Sequence, residues 1–246
     1  MKRALLVSWI RLFGVQGAWS YERMSGIGAA GALEPLLRDL PGGPGGDRYR
    51  EAMRRAVGFF NSHPYLVGAA VGAVARAEHD AVPGEQIERL KSVLTGTLGS
   101  LGDRLIWAGT LPFTMGVALS LAATAPWFVG PTVFLVLYNV VHLALRTWAL
   151  GAGWRSGMRV ARELATPALR RGLRVAGPMG ALAVGFSLPL LWAWLAGGWA
   201  PLVRAGAFLV AAAGLVVDLR LAPTLGGLRF GLSVAGVALV AGLLWR

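Results

Sequence analysis

The stretch "LIWAGTLPFTMGVALSLAATA", residues 105–125, decides the fold, because it contains no Asp, Glu, Lys or Arg. A helix needs about 20 predominantly apolar residues to cross the hydrocarbon layer of a membrane, and this stretch is long enough. Two further runs at 127–145 and 175–203 also lack these four residue types. The sequence therefore predicts a membrane protein built from helices.

The composition of the whole chain supports this prediction. Of its 246 residues 55% are hydrophobic and only 15% are charged, whereas soluble domains carry more charge. Cysteine is absent, which excludes disulfides and thiolate metal ligands. The three histidines, His63, His79 and His142, are scattered without a metal-ligand spacing. Neither a metal site nor a cofactor is expected.

The charge distribution predicts the orientation in the membrane. The net charge of +12 comes partly from arginines in the connection 151–174, which contains one acid, Glu163. A short basic connection between apolar runs is typical of a cytoplasmic loop, so nucleic-acid binding is not expected. Gly and Pro in "LAGGWAP", residues 195–201, predict a turn before a span at 199–217, and 226–245 predicts a last one. Arg204 and Arg229 would lie near the ends of these spans, 218–224 would be cytoplasmic, and the C-terminus would lie outside.

The first 104 residues are less regular. Residues 4–15 predict an amphipathic helix at the membrane interface, and "LPGGPGGD", residues 40–47, predicts a loop between two short helices. Residues 64–77 are apolar but too short to span, which is typical of a re-entrant or half-crossing helix. We therefore expect an all-α, polytopic integral membrane protein with about five transmembrane helices, divided into residues 1–104 and a helical bundle, 105–246.

Three segments resemble a known family in their order and spacing. They are "VQGAWSYERMSGIG" at 15–28, "RAVGFFNSHPYLVGAAVGAVARAEHD" at 55–80 and "LTGTLGSLGDRLIW" at 94–107. All three are similar to signatures of the IID membrane component of the mannose, fructose and sorbose class of sugar phosphotransferase systems. The resemblance extends from about Arg11 to about Arg159.

The resemblance implies a division of labour between subunits. A IID component pairs with a IIC component to form the pathway for a hexose, while IIA and IIB components on the cytoplasmic side carry the phosphoryl group. The chain would then be a non-catalytic subunit of a hetero-oligomer in the bacterial cytoplasmic (inner) membrane. A family member retained as a membrane scaffold or regulator is the alternative, since Arg104 stands where the family usually has Ser.

The motif residues suit a sugar site, because hydroxyls need fixed polar partners and flat apolar walls. The expected substrate-binding residues are Gln16, Trp19, Glu22, Asn61 and His63. The expected structural or interface residues are Gly17, Tyr21, Arg23, Pro64, Gly102 and Asp103. Pro64 is expected at the first position of the helix that follows it.

Structural roles remain open for several of these residues. Glu22 could form an ion pair with Arg23, and Asn61 could cap the following helix. His63 could be a hydrogen-bonded structural imidazole. Trp19 could be an interface anchor only.

Two further polar positions also have structural readings. Asp103 could pair with Arg104 at a helix start, where the helix dipole favours a carboxylate. His142 lies inside an expected span, where it could be functional or could pack against a neighbouring helix.

Overall fold

The computed structural model describes residues 1–203 together with 205, 206 and 209, and the regular elements in these residues are helices. The span expected at 199–217 lies largely outside the described residues. The span at 226–245, the loop 218–224, Arg204, Arg229 and the C-terminus lie wholly outside them. The chain divides into two compact units, Met1–Leu191 and Trp192–Arg246.

Nine α-helices follow one another in the described part of the chain. They are α1 Lys2–Arg11, α2 Gly26–Leu37, α3 Asp47–Ala56, α4 Val67–His79, α5 Gly84–Gly102, α6 Leu111–Thr124, α7 Val129–Ser156, α8 Val160–Leu164 and α9 Pro167–Leu195. A π-helical segment, Asp103–Thr110, joins α5 to α6. Short 3-10 turns occupy Leu12–Gly14, Gly43–Gly45 and Gly157–Arg159.

The helices expected in the N-terminal part are present. Helix α1 covers most of the predicted 4–15 helix, and α2 and α3 are the two short helices on either side of the glycine-rich loop. In that loop Gly42 and Gly43 have φ of 84° and 61°, a backbone conformation that favours glycine. The prediction of a loop at 40–47 is confirmed.

Helix α4 is the buried centre of the N-terminal part. Nearly all of its residues from Val67 to Glu78 are buried, and α2, α5 and α7 pack around it. It crosses α7 so closely that a Cβ on Gly72 would lie 2.5 Å from the backbone nitrogen of Trp154. A Cβ on Gly153 would likewise lie 2.8 Å from the backbone nitrogen of Ala73. Small residues allow this close backbone contact.

Three long helices are apolar enough to cross a membrane. They are Gly84–Thr124, which combines α5, the π-helical segment and α6, then Val129–Leu164, and Pro167–Leu195. They cover most of the runs 105–125, 127–145 and 175–203, so the prediction of an all-helical membrane protein is confirmed. The described residues do not show a fourth or a fifth span.

Two boundaries differ from the sequence predictions. The segment around Asp103 does not start a helix, because residues 84–124 form one continuous helix, and the division expected between 104 and 105 falls within it. The basic connection 151–174 is mostly helical, since α7 continues to Ser156 and α9 begins at Pro167. The arginines in 151–174 led to the prediction of a connection, but arginine is a good helix former and does not itself end a helix.

The turn predicted at 195–201 is confirmed within the second unit. Helix α9 ends at Leu195, and the Ala196 N–H donates to the Trp192 carbonyl at 2.9 Å. The Trp199 N–H donates to the Ala196 carbonyl at 3.0 Å, which closes the turn before helix resumes at Pro201.

Candidate functional site

The first motif segment forms tight turns between α1 and α2. The Gly17 N–H donates to the Gly14 carbonyl at 2.9 Å, and the Trp19 N–H donates to the Gln16 carbonyl at 3.2 Å. Ser20 and Met24 then exchange two backbone hydrogen bonds around a turn at 21–23. Met24 has a φ of 49°, which is uncommon for a residue with a side chain and marks a constrained loop.

Backbone contacts join the first motif to the second. The Ser25 N–H donates to the Phe60 carbonyl at 2.9 Å, and the Phe60 N–H donates to the Arg23 carbonyl at 3.3 Å. A Cβ on Gly26 would collide with the Gly58 carbonyl oxygen, so only glycine allows the two segments to meet this closely. The structure therefore places Glu22 and Asn61 on neighbouring backbone segments.

The predicted sugar ligands on this surface are exposed. Gln16, Trp19, Glu22 and Asn61 all have exposed side chains, and Trp19 makes an edge-to-face contact with Tyr21, with ring centroids 4.9 Å apart. Among the described residues Glu22 forms no ion pair with Arg23. The ion pair between Glu22 and Arg23 is thus absent from the described chain, and a pair formed at a subunit interface stays a prediction.

The local helix geometry corrects two further expectations. Helix α4 begins at Val67 with Leu66 at its N-cap and without a side-chain cap, so Asn61 does not cap it. Pro64 lies three residues before Val67, in the turn that leads into the helix. The ring of Pro64 disfavours helical geometry for the preceding residue, His63, so the helix begins only after Pro64.

His63 differs from the other predicted ligands because it is buried, with 3% of its surface exposed. The Tyr65 N–H donates to His63 Nδ1 at 3.3 Å, so the neutral ring carries its proton on Nε2. That Nε2 atom is buried without a hydrogen-bond partner among the described residues. Burial lowers the pKa of His63, and nearby Arg146 and His142 lower it further against the opposing effect of Asp103. The ring is therefore held neutral at physiological pH.

The third motif meets the second at His63. A Cβ on Gly102 would collide with the Cβ of His63, and the Trp107 ring lies edge-on to the imidazole at a centroid distance of 5.7 Å. Asp103 and Arg104 are exposed at the start of the π-helical segment and do not pair with each other among the described ion pairs. Their interpretation as a pair at a helix start is wrong. The π-helical geometry is itself frequent at functional sites.

His142 belongs to a polar cluster that sequence reasoning otherwise missed, where α7 meets the turn after α1 and the segment before α4. We call it the arginine cluster: Phe13, Tyr65, Tyr138, His142 and Arg146. Arg146 is only 3% exposed, and its Nε donates to His142 Nε2 at 3.1 Å. Its guanidinium carbon lies 4.5 Å from the Phe13 ring centroid and 5.7 Å from that of Tyr65. Its Nη1 has no hydrogen-bond partner in the described part of the chain.

The arginine cluster includes a residue of the second motif and one that lies just before the first. Phe13 precedes the first motif, and Tyr65 follows His63 in the second. The His142 ring stacks on Tyr65 at a centroid distance of 4.0 Å, and the Tyr65 and Tyr138 hydroxyls are 2.9 Å apart. The sequence does contain a signal, since residues 138, 142 and 146 recur every four positions and share one helix face.

Lys91, which the sequence also did not single out, binds the backbone at the start of the second motif. Its Nζ donates to the carbonyls of Arg55, Ala56 and Gly58 at 3.0, 2.7 and 3.0 Å. An ammonium has three donors, and all of them are used here to close the C-terminal end of α3. Lys91 thus ties α5 to the backbone that leads into Phe59.

The site as a whole offers groups that bind and position a ligand. It combines exposed amide and carboxylate side chains, an aromatic pair and a buried neutral imidazole. In the described residues no group of three or more His, Cys, Asp or Glu side chains could hold a metal ion. The arrangement suits recognition of a polar, uncharged molecule with several hydroxyls.

Comparison with protein families gives a match over most of the chain. The model of the PTS system mannose/fructose/sorbose family IID component matches residues 1–189. The chain is 26% identical over 175 residues to the mannose-specific EIID component of Escherichia coli strain K12, covering 69% of this chain and 61% of that protein. It is 27% identical over 189 residues to the fructose permease IID component of Bacillus subtilis strain 168, covering 75% and 68%.

Solved structures share the fold. A chain in the cryo-electron-microscopy structure of the mannose transporter ManYZ with microcin E492 (MceA) aligns with a TM-score of 0.60 and 24% identity, over 76% of this chain and 69% of that one. A second chain, from a structure described as a membrane protein, aligns with a TM-score of 0.66 and 20% identity, over 88% and 97%. The chain spans about three fifths of the mannose-specific relative, at 61% of its length.

Proposed function

The chain belongs to the PTS mannose/fructose/sorbose family of IID components, and on that premise we propose that it is the IID membrane subunit of a sugar phosphotransferase system. Together with a IIC subunit it forms the translocation pathway for a mannose-type hexose, which the partner IIB component phosphorylates. The observation that carries this proposal is the match to the family over residues 1–189, which includes all three motif segments.

The proposed hexose site uses Gln16, Trp19, Glu22, Asn61 and His63. Glu22 and Asn61 lie on neighbouring backbone segments, and their side chains are exposed and make no hydrogen bond within the described residues. Polar groups near membrane depth are unfavourable unless another molecule satisfies them. A hexose and a second subunit would supply the missing partners.

Other motif residues are proposed to shape the loops and to contact the IIC subunit. Tyr21 is 86% exposed, and Arg23 and Asp103 are exposed as well, which suits an interface with another chain. Gly17, Pro64 and Gly102 lie in turns or close contacts that keep the motif backbone in place. An arginine at position 23 would then pair with the partner rather than with Glu22.

The topology proposed for the chain has about five spans, three of them in the described residues, with 151–174 on the cytoplasmic side of the bacterial inner membrane. Helix α4 is proposed to enter the membrane without crossing it. Its 13 residues are shorter than a span, and it is enclosed by other helices rather than exposed to lipid.

The chain is proposed to carry no phosphoryl group itself. The IIA and IIB components perform that chemistry at the cytoplasmic face, and the IID subunit binds and guides the sugar. His63 suits binding better than phosphorylation, because it is buried between aromatic rings and its Nδ1 is engaged by the Tyr65 N–H.

Calorimetric titration of the purified complex of this chain and its IIC subunit with mannose tests the proposal. Removing a hydrogen bond to a sugar hydroxyl weakens binding by roughly tenfold or more, so Asn61→Ala and His63→Ala should both raise the Kd by that factor. Asn139→Ala is the matched control, because Asn139 is exposed on α7 and its amide donates to the Leu135 carbonyl of its own helix. Wild-type affinity in both variants would place the sugar site elsewhere.

A membrane scaffold or regulator of the same family is the second candidate. Arg104 favours it, because this exposed cation stands in the third motif near the buried His63 and has no ion-pair partner among the described residues. A wild-type complex that assembles with the IIC subunit but binds no sugar would support this candidate against transport.

A further inference from the structure

A groove lies on the first unit between α7, the π-helical segment and the start of α9. Its walls are Val141, Leu145 and Trp148 of α7, Leu105 of the π-helical segment, and Leu169 of α9. The cavity volume is about 320 Å³, which lies in the range of small-molecule sites. Both α7 and α9 belong to helices long enough to span a membrane, so a lipid acyl chain can lie along these apolar walls.

Arginines flank the end of the groove where α7 ends and α9 begins. Seven residues after Trp148, two turns further along the same face of α7, comes Arg155. Its Nη1 lies 3.1 Å from the position of a Cβ on Gly151, so the guanidinium folds back towards the turn that holds Trp148. On α9, Arg171 follows the groove residue Ala168 by three positions and lies on the adjoining face.

These arginines lack acidic partners. The ion pairs of the described residues involve Arg11, Arg38, Arg50, Arg55 and Arg76, and none of the arginines between 155 and 174. Glu163, the acid in the same connection, instead accepts a hydrogen bond from the Ser156 hydroxyl at 3.0 Å. The polar end of the groove therefore carries uncompensated positive charge.

We propose that this groove binds an anionic phospholipid. The acyl chain lies against Leu145, Trp148 and Leu169, and the headgroup phosphate lies between Arg155 and Arg171. Guanidinium groups bind phosphate through paired N–H donors, and the hydroxyl of Thr166, which also lines the groove, is a further donor at the same end. This site lies outside the first two motif segments and includes only Leu105 of the third, and lipid binding there does not depend on sugar transport.

Charge and shape together favour a lipid over another protein segment. An apolar channel alone would accept any acyl chain or a partner helix, and a basic surface alone would accept any acidic molecule. Only a molecule with a long apolar chain and an anionic head satisfies both parts at a membrane interface. Basic clusters next to membrane helices recognise anionic lipids in this way.

Fluorescence quenching by brominated lipids tests the proposal with the full chain reconstituted in phosphatidylcholine vesicles. Trp148 lines the groove, so the part of the tryptophan signal that disappears in Trp148→Phe reports occupancy there. Brominated phosphatidylglycerol should quench this part at low mole fraction and saturate, whereas brominated phosphatidylcholine should quench it only in proportion to its abundance. Equal quenching by both lipids would overturn the proposal.

Substitutions separate the two parts of the site. Because each Arg near a membrane surface contributes measurably to anionic-lipid binding, Arg155→Gln with Arg171→Gln should raise the apparent Kd for phosphatidylglycerol roughly 10- to 30-fold. Arg54→Gln with Arg89→Gln removes the same charge from exposed arginines that are outside the groove and form no ion pair in the described chain, and should leave the Kd unchanged.

A groove-filling variant completes the test. A Cβ on Gly172 would meet only Leu105 Cδ1, at 3.9 Å, so Gly172→Leu fits and fills the groove while every arginine remains. It should weaken quenching of Trp148 by phosphatidylglycerol. If Arg54→Gln with Arg89→Gln raised the Kd as much as Arg155→Gln with Arg171→Gln, the effect would be one of general charge. If neither brominated lipid quenched Trp148 in the folded protein, a protein segment would cover the groove. Either result rejects the lipid site.

Discussion

Helix α4 packs against α2, whose first residues belong to the first motif segment, yet α4 and the rest of that segment differ in how far they are buried. Along α4 almost every residue is buried, and the crossing with α7 brings backbone against backbone. In the first motif, Gln16, Trp19 and Glu22 are exposed, and no side-chain hydrogen bond of Gln16 or Glu22 occurs in the described structure. One region is packed within the single chain, and the other leaves its polar side chains exposed.

This contrast separates stability from binding. Close packing of small residues holds α4 and α7 together, because backbone lies against backbone at their crossing. Exposed polar side chains contribute little to that packing and remain free to bind. Substitutions at the α4–α7 crossing should therefore unfold the chain, whereas substitutions of exposed residues in the first motif should change binding and leave the fold intact.

The largest expected effect is at the α4–α7 crossing. Gly153→Ala would press its Cβ against the Ala69 carbonyl oxygen and the backbone nitrogen of Ala73, so the helices must separate. Overpacking against rigid backbone destabilises by about 3 kcal/mol or more. Thermal unfolding in detergent, followed by circular dichroism, should show a large drop in Tm.

Gly31→Ala is the matched control for this experiment. Gly31 is exposed in α2, and no other group lies within 4 Å of its added Cβ. Alanine in a helix interior stabilises by roughly 0.5–1 kcal/mol relative to glycine, so the Tm should rise slightly. If both variants behave alike, the crossing is not held by backbone contact, and the contrast between the two regions fails.

The next prediction concerns Arg146, which is buried like α4 but lies against Tyr65 of the second motif and Phe13 just before the first. Arg146→Met keeps the volume and removes a buried charge without a carboxylate partner, so the Tm should stay the same or rise. The stack of His142 on Tyr65, and with it the orientation of His63, should loosen. Sugar binding by the complex with the IIC subunit should weaken roughly tenfold, as for other lost positioning contacts.

Arg54→Met tests whether loss of charge alone weakens binding. Arg54 is exposed on α3 and has no ion pair in the described chain, so its substitution should change neither the Tm nor the Kd. An Arg146→Met protein that unfolds would assign the residue to the stability region alone. Unchanged stability together with unchanged sugar affinity would make it a packing residue without a positioning role.

Much of the fold could be predicted because hydropathy reports directly on membrane spans. Most of each run without charge, at 105–125, 127–145 and 175–203, lies in one of the long helices. Helix ends were harder to predict, because an arginine such as Arg146 or Arg155 interrupts an apolar stretch of sequence without ending the helix. The same limit placed Asp103 at a helix start, although the helix passes through it.

The site could be predicted only in part. The motif residues indicated the region, and the structure brings the three motifs together through Phe60 and His63. Lys91 and Arg146 could not be found in this way, because their partners are backbone carbonyls and aromatic rings far along the chain. The spacing of Tyr138, His142 and Arg146 shows that they share a helix face, but the groups that this face contacts depend on tertiary packing.

The smallest expected effect distinguishes two carboxylates that join helices in the N-terminal part, Glu34 and Glu78. Burial alone would raise the pKa of Glu34, but hydrogen bonds from Arg38, Arg11 and Tyr49 hold it below its ordinary value. Burial raises the pKa of Glu78 above its ordinary value, despite the two-pronged hydrogen bonds from Arg55. The two groups should therefore change stability with pH in opposite directions.

For Glu34 the stabilisation is present above the ordinary pKa of a glutamate and is lost as the pH falls through its lowered value. Glu34→Gln should thus be less stable than wild type by about 1 kcal/mol at neutral pH, with the difference vanishing in acid. For Glu78 the contribution is present below the ordinary pKa and is lost as the pH rises through the raised value. The free energy of unfolding of the wild type, relative to that of Glu78→Gln, should therefore fall on going from acid to neutral pH. Urea unfolding at pH 4 and pH 7 measures how the stability difference between wild type and each variant changes with pH. Changes of the same sign for Glu34→Gln and Glu78→Gln would contradict the assignment of burial as the dominant effect at Glu78.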